Sequence, residues 1–146
     1  MQAMTYFAYL TPDEDGRILV RFYDVPQALT DGADVVEALA NAADALSVAL
    51  EGYLEQGWDF PGAAQIDPAN AAVGHTIIEV AVPPALAARA LLTRAMKAQG
   101  LSNVALATRL GRDEKAVRRI LSGKGASLDL TLRALNAMGV RAALAA

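Results

Sequence analysis

NVALATRLGRDEKAVRRILSG, residues 103–123, reads as two short helices joined by a tight turn. Leu106, Leu110, Val117 and Ile120 are spaced to make apolar contacts between the helices, and Ala107 is small enough to let the two backbones approach closely. Gly111 stands where the connecting turn needs a positive φ. Asp113 can cap the following helix through its side-chain oxygen. That leaves Glu114, Lys115, Arg118 and Arg119 near or along the outer surface of the second helix. A small residue four positions before the turn glycine, a β-branched residue six after it and another three further on match the packing positions of a helix-turn-helix, with residues 113–122 as recognition helix. A plain amphipathic helix pair with a solvated Arg/Lys face would share part of this pattern, so both readings stand at this point.

Composition bounds the rest. A chain of 146 residues with 54% hydrophobic and 20% charged content is globular and long enough for one ordinary core or two small ones. It has no cysteine, which excludes disulfides and thiolate metal sites. No apolar run approaches the roughly 20 residues needed to cross a bilayer. The opening MQAMTYFAYLTPDED lacks a basic start and a signal-like apolar core, so a cytoplasmic protein is expected. The net charge of −3 hides a division: residues 1–82 hold two Lys/Arg against 13 carboxylates, net −11, and residues 83–146 hold 11 against three, net +8. A basic second half suits a polyanion, and an acidic first half repels one.

In the acidic half, residues 6–10 and 18–23 alternate as strands, and Thr11 to Arg17 makes a hairpin turn with Gly16 free for positive φ. Residues 27–30 offer a short third strand after Pro26. Asp34 and Glu37 form a capping box that starts a helix, and Gly57 ends it. Val36, Leu39, Ala43, Leu46, Leu50 and Tyr53 are expected to face the sheet. Glu37, Asp44, Glu51 and Glu55 form a stripe on the other side with no Lys or Arg in the helix, either a solvated acidic face or a docking surface for a basic partner. Residues 58–74 read as a loop that Trp58 and Phe60 could anchor. Strand character returns at 76–82, and the crossover before it favours parallel pairing with the first strand.

Pro83-Pro84 closes that strand and opens a helix through Lys97, placing the domain boundary between residues 82 and 83. Gly100 stops the helix and Ser102 begins the next. A Gly/Ser/Lys loop at 122–127 precedes an amphipathic helix on Leu128, Leu132, Leu135 and Met138, and the tail 140–146 is a candidate for packing across a dimer interface. If the motif binds DNA, Lys115, Arg118 and Glu114 suit base edges in the major groove. Arg119, Lys124, Arg112 and Arg109 suit phosphates, and Asp113, at the mouth of the helix, belongs to the same DNA-facing group. One recognition helix reads few base pairs, so a homodimer on a palindrome with half-sites about 34 Å apart is expected, with pairing of dimers into tetramers left open.

The run YFAYLTPDEDGRILVRFYDVPQALTDGADVVEALANAADAL carries a further pattern: a hairpin, then Asp24-Val25-Pro26, Thr30-Asp31-Gly32 and Glu37-Ala38-Leu39-Ala40-Asn41-Ala42. It resembles the N-terminal domain of HicB-type antitoxins. The second half resembles the helix-turn-helix that some of these antitoxins carry, so nearly the whole chain is covered. Gln27 departs from the family, which commonly has glycine after the proline. The resemblance implies an α+β chain, a partial ribonuclease-H-like βββαβ domain over 1–82 followed by an all-α XRE/Cro-like helix-turn-helix domain over 83–146. It implies binding and blocking of a HicA-type RNA-cleaving toxin, and repression of the chain's own operon by binding double-stranded operator DNA.

A toxin that grips RNA must be basic, and Asp13, Glu14, Asp15, Asp31 and Glu37 are the expected contacts, with charge steering association and apolar contacts holding the complex. Ribonuclease H chemistry needs clustered carboxylates for divalent metal, one of them on the first strand. Residues 4–10 offer none, so no nuclease activity is expected. His75, the single histidine, has no Ser/Asp constellation and reads as structural at a strand edge. No phosphate-binding glycine loop or metal-ligand spacing occurs, so no cofactor or metal is expected. Two other classes stay in view: a stand-alone transcription regulator with a ligand-sensing N-terminal domain, and a nuclease.

Overall fold

A computed structural model describes residues 4–62, 75–124 and 127–140. The expectations for residues 63–74, 125–126 and 141–146, the dimer-packing tail among them, lie outside the described residues. Contacts divide the chain into two units, Met4–Val82 and a second that begins at Pro83. The whole is α+β, with one four-stranded antiparallel sheet and five helices among the described residues.

The first unit opens with a hairpin of β1 (Thr5–Pro12) and β2 (Ile18–Phe22), in register from Pro12↔Ile18 to Ala8↔Phe22. Asp13 closes the turn: its Oδ1 accepts from the N–H groups of Asp15 at 2.8 Å and Arg17 at 2.9 Å, and Gly16 takes φ +79°. β3 (Leu29–Gly32) pairs with β2, two residues later than the sequence suggests. The helix α1 (Val35–Glu55) then covers one face of the sheet, started by the Asp34 carboxylate, which accepts from the Glu37 N–H at 2.8 Å.

β4 (Thr76–Ala81) lies beside β1 in the order β3-β2-β1-β4, and it is antiparallel to β1, not parallel as the crossover suggests. The cause lies in where the described parts of the connection stand. Asn41 sits beside Asp31, whereas Tyr53 reaches Gln27, so α1 runs back along β3. Pro61 is still at the entry end of β1, held by Tyr6, and His75 is already at the exit end, against Thr11. β4 therefore enters where β1 leaves, with Thr76 opposite Leu10.

The apolar stripe of α1 also differs from the sequence expectation. Ala38, Ala42, Leu46 and Leu50 are the buried positions, while Val36 is 79% and Leu39 41% exposed. The rotation follows from how close the helix lies. A Cβ on Gly32 would overlap the Ala38 nitrogen and stand 2.7 Å from its Cα, so glycine at 32 and alanines at 38 and 42 are what let the backbones meet. Larger side chains at 36 and 39 are turned outward because only methyl groups fit beneath.

The second unit consists of α2 (Pro84–Gln99), α3 (Asn103–Leu110), α4 (Glu114–Ser122) and α5 (Leu128–Ala137). Ser102, Asp113 and Ser127 cap the last three, accepting from Ala105, Ala116 and Leu130 N–H groups at 3.1, 2.9 and 3.1 Å. Gly100, Gly111 and Gly123 end the first three in the left-handed region. The core joins Leu92 and Met96 of α2 to Leu106 and Ala107 of α3, Val117 and Ile120 of α4, and Ala134 and Leu135 of α5. Leu128 and Leu132, expected at the centre of the α5 face, lie only at its edge.

Two glycines of the first unit, one against backbone and one in open space, carry opposite expectations. Gly32→Ala drives a methyl into backbone and is expected to lose more than about 2 kcal/mol of stability. Gly52 of α1 has nothing within 4 Å of an added Cβ. Gly52→Ala is therefore expected to gain about 0.5–1 kcal/mol through helix propensity alone. Urea denaturation of both variants checks the pair.

Candidate functional site

On α4 the buried side is Ala116, Val117 and Ile120, which leaves Lys115, Arg118 and Arg119 exposed on the outer side. Arg109 and Arg112, at the end of α3 and in the turn, and Lys124, just past α4, are exposed as well. Three residues separate α3 from α4, with Gly111 at φ +65°. Two of the expected contacts have prior engagements. The Asp113 side chain accepts from Ala116 N–H, so its role is to start the helix. Glu114 accepts from Arg118 at 2.8 Å, an exposed i,i+4 pair that is weak enough to open when either finds another partner.

Sequence reasoning passed over Arg89. It is buried in α2, and its Nε and a terminal guanidinium nitrogen reach the Leu121 carbonyl at 3.4 and 3.1 Å, in the last turn of α4. A Cβ on Gly123 would stand 2.6 Å from the guanidinium carbon, so the glycine that ends α4 also makes room for this clamp. The available signal was an arginine one turn before Leu92 on the apolar stripe of α2. Arg89→Ala leaves the carbonyl without its charged donor and is expected to cost about 1–3 kcal/mol, read by thermal or urea unfolding.

In the first unit, folding gathers part of the acidic group at the end of the sheet where the β1–β2 turn meets the start of α1. Arg17 donates to both Asp31 oxygens at 3.0 and 3.2 Å. Its pKa is raised first by the hydrogen bond to Asp31 and then by that carboxylate's charge, with smaller contributions from Glu37 and Asp13. The hydrogen bond from Arg17 holds the Asp31 carboxyl below the usual range. Asp13 is occupied in its own turn, Asp31 in the ion pair. Glu14, Asp15 and Glu37 remain exposed. Among the described residues no three of His, Asp and Glu come together as a metal-holding group.

A second feature of this unit is a trough of about 660 Å³ between β3 and α1. Ala45, Ala49 and Gly52 give the helix side a low wall, Asp44 stands on it, and Leu29 and Trp58 flank it. Trp58 is 57% exposed, with its ring edge-on to Tyr53 at 5.6 Å, so it shapes the surface and does not anchor a loop by burial. Gln27, the departure from the family pattern, accepts from the Tyr53 hydroxyl at 3.1 Å. At the other end of the sheet His75 contacts Thr11 Oγ1 through Nδ1 and packs against Tyr9, the structural role expected of it.

Tyr6 is buried under α1 and donates to the Pro61 carbonyl at 2.6 Å. Burial first, then the nearby Asp24 charge, raises its hydroxyl pKa to about 12. Asn41 donates to the Asp31 carbonyl at 2.8 Å, which ties α1 to β3.

The chain is 36% identical over 137 residues to antitoxin HicB 2 of Photorhabdus laumondii, covering 93% of this chain and 91% of the relative. The chain belongs to the HicB antitoxin family. Antitoxin HicB of Escherichia coli K12 is 30% identical over the same length, with 93% of this chain and 94% of the relative covered. The solved N-terminal domain of Burkholderia pseudomallei antitoxin HicB aligns with 55% of this chain and 99% of its own length, at 21% identity and a TM-score of 0.47. No protein-family model matches the sequence. Within this HicB chain, the T-x-G and E-A-x-x-N-A residues are those that set the α1–β3 contact: Gly32, Ala38, Asn41 and Ala42. No helix among the described residues is long and apolar enough to cross a membrane.

The acidic cluster gives a pH expectation with a definite sign. Asp31 is depressed in the folded chain, so its pairing contributes stability above the ordinary aspartate pKa of about 4 and loses it as pH falls through the lower, folded value. Arg17→Ala is expected to return the Asp31 pKa to the usual range, read by NMR titration of the side-chain carboxyl.

Proposed function

We propose that this HicB-family chain binds and blocks a small HicA-type RNA-cleaving toxin through its first unit and represses its own operon through its second. The observation that supports this most directly is that the charge reversal falls at the division between units: net −11 over residues 1–82 and +8 over 83–146. An acidic surface suits a toxin that must itself be basic to hold RNA, and a basic helical unit suits operator DNA. We read the first unit's βββαβ order as a partly reduced ribonuclease-H-like fold that acts by occlusion, without catalysis, with the last strand turned antiparallel to the first.

In the second unit, α3 and α4 serve as a helix-turn-helix. Lys115, Arg118 and Glu114 address base edges in the major groove, and Arg109, Arg112, Arg119 and Lys124 meet phosphates. Asp113 sets where α4 begins, and Arg89 fixes where it ends. The active species on DNA is a homodimer across a palindrome, working in the cytoplasm. A ligand-sensing regulator would need a polar-lined pocket in the first unit, and the trough between β3 and α1 is lined mainly by apolar groups.

Arg118→Ala is expected to weaken operator binding by about 1–3 kcal/mol in a gel shift at fixed salt, without moving thermal stability. In the same preparation, the full-length chain is expected to restore growth of cells that express the toxin encoded beside it. Unchanged operator affinity removes the DNA role of Arg118, and unrelieved toxicity removes the antitoxin role.

A further inference from the structure

The free edge of β3 and the trough beside it make a built docking place whose occupant is constrained by hydrogen bonding, shape and charge. Among the described residues β3 pairs with β2 only, so none of them pairs with its other edge. Because Asn41 donates to the Asp31 carbonyl at 2.8 Å, that carbonyl points away from β2. In an antiparallel ladder the direction alternates residue by residue, so Leu29 also turns its N–H and C=O outward. Those two groups have no partner among the described residues. Leu29 itself is 63% exposed.

The helix side of the trough is equally unusual. Along it α1 carries Ala45 and Gly52, and Val48 is 73% exposed. Glycine inside a helix weakens it, and no described neighbour requires Gly52 in the last turn of α1, since an added Cβ would meet no atom within 4 Å. The low wall is what an approaching backbone requires. From Asn41 to Gln56 the lining spans about 22 Å at 1.5 Å per residue. That is room for about seven residues of extended chain. Charge selects among possible occupants: residues 24–62, which contain β3 and α1, hold eight carboxylates and no Lys or Arg. A second copy of this unit would bring the same negative charge to the same place.

We infer that this trough receives an extended, cationic segment of the toxin, which adds as a fifth strand to β3, sets its apolar side chains over Val48 and Trp58, and places a Lys or Arg at Asp44. The inference rests on the antitoxin reading above. Main-chain hydrogen bonds to Leu29 would hold the strand, and the α1 wall would choose which side chains fit. The acidic turn residues at the end of the sheet then contribute to steering more than to the seat itself.

The test uses the full-length chain and the toxin expressed from its own locus. Gly52→Leu is expected to weaken toxin binding by about tenfold or more in calorimetry. Its melting temperature should stay at or above that of the parent. Val48→Lys, at an exposed position, is expected to act the same way and serves as a second variant if Gly52→Leu misfolds. In the complex, the Leu29 amide proton is expected to exchange about a hundredfold more slowly than in the free chain. Parent-like toxin binding by folded variants, or unchanged Leu29 exchange, overturns the strand-addition site while the antitoxin reading stands if the parent still neutralises the toxin. Failure of the parent itself to bind overturns both. Loss of self-association in Gly52→Leu with toxin binding intact would assign the trough to a second copy and overturn the inference.

Discussion

The first unit depends on one close approach, that of α1 to β3. Gly32 has no room for a side chain, Ala38 and Ala42 present only methyl groups, and Asn41 spends its amide on the Asp31 carbonyl. This contact fixes both the height and the rotation of the helix. Leu46 and Leu50 are thereby brought over the sheet, where they are fully buried with Tyr6 and Val20. The same rotation leaves Ala45, Val48 and Gly52 beside a strand edge that no described strand pairs, so the packing that stabilises the unit also produces the trough. Natural sheets usually blunt such an edge with charge, a bulge or a short strand. Here β3 has four residues, and a side-chain amide from α1 covers part of it.

The second unit solves a different problem, that of holding a short helix at a fixed angle with its charged face free. α4 has nine residues, too few to be stable alone, and it relies on what surrounds it. Val117 and Ile120 are fully buried, Asp113 satisfies the first turn and Arg89 the last. With both ends and the inner side committed, Lys115, Arg118 and Arg119 are left exposed on the outer side. The pair Glu114–Arg118 holds the arginine in place only loosely, because both side chains are well exposed to solvent.

Features that obey local rules were legible in the residues alone. The caps at Asp34, Ser102 and Asp113, the turn glycines at 16 and 111, the helix pair around Leu106, Val117 and Ile120, and the change of charge near Pro83 all follow from residue type and spacing. Such features involve neighbours within a few positions, or a simple count of charges, and so survive without knowledge of the fold.

Whatever depends on distant partners required the path of the folded chain. β4 is antiparallel because His75, just before it, stands at the end of the sheet where β1 leaves, whereas Pro61 after α1 stands at the end where β1 enters, and the helical part of a connection does not by itself set strand direction. Val36 and Leu39 face outward because a glycine some residues away in β3 draws the helix down on its alanines. Asp13 and Asp31 are committed within the fold, and Arg89 is a clamp where the sequence shows only one more cation. In each case the residue's chemistry was legible, but its role was set by which atom the fold placed against it.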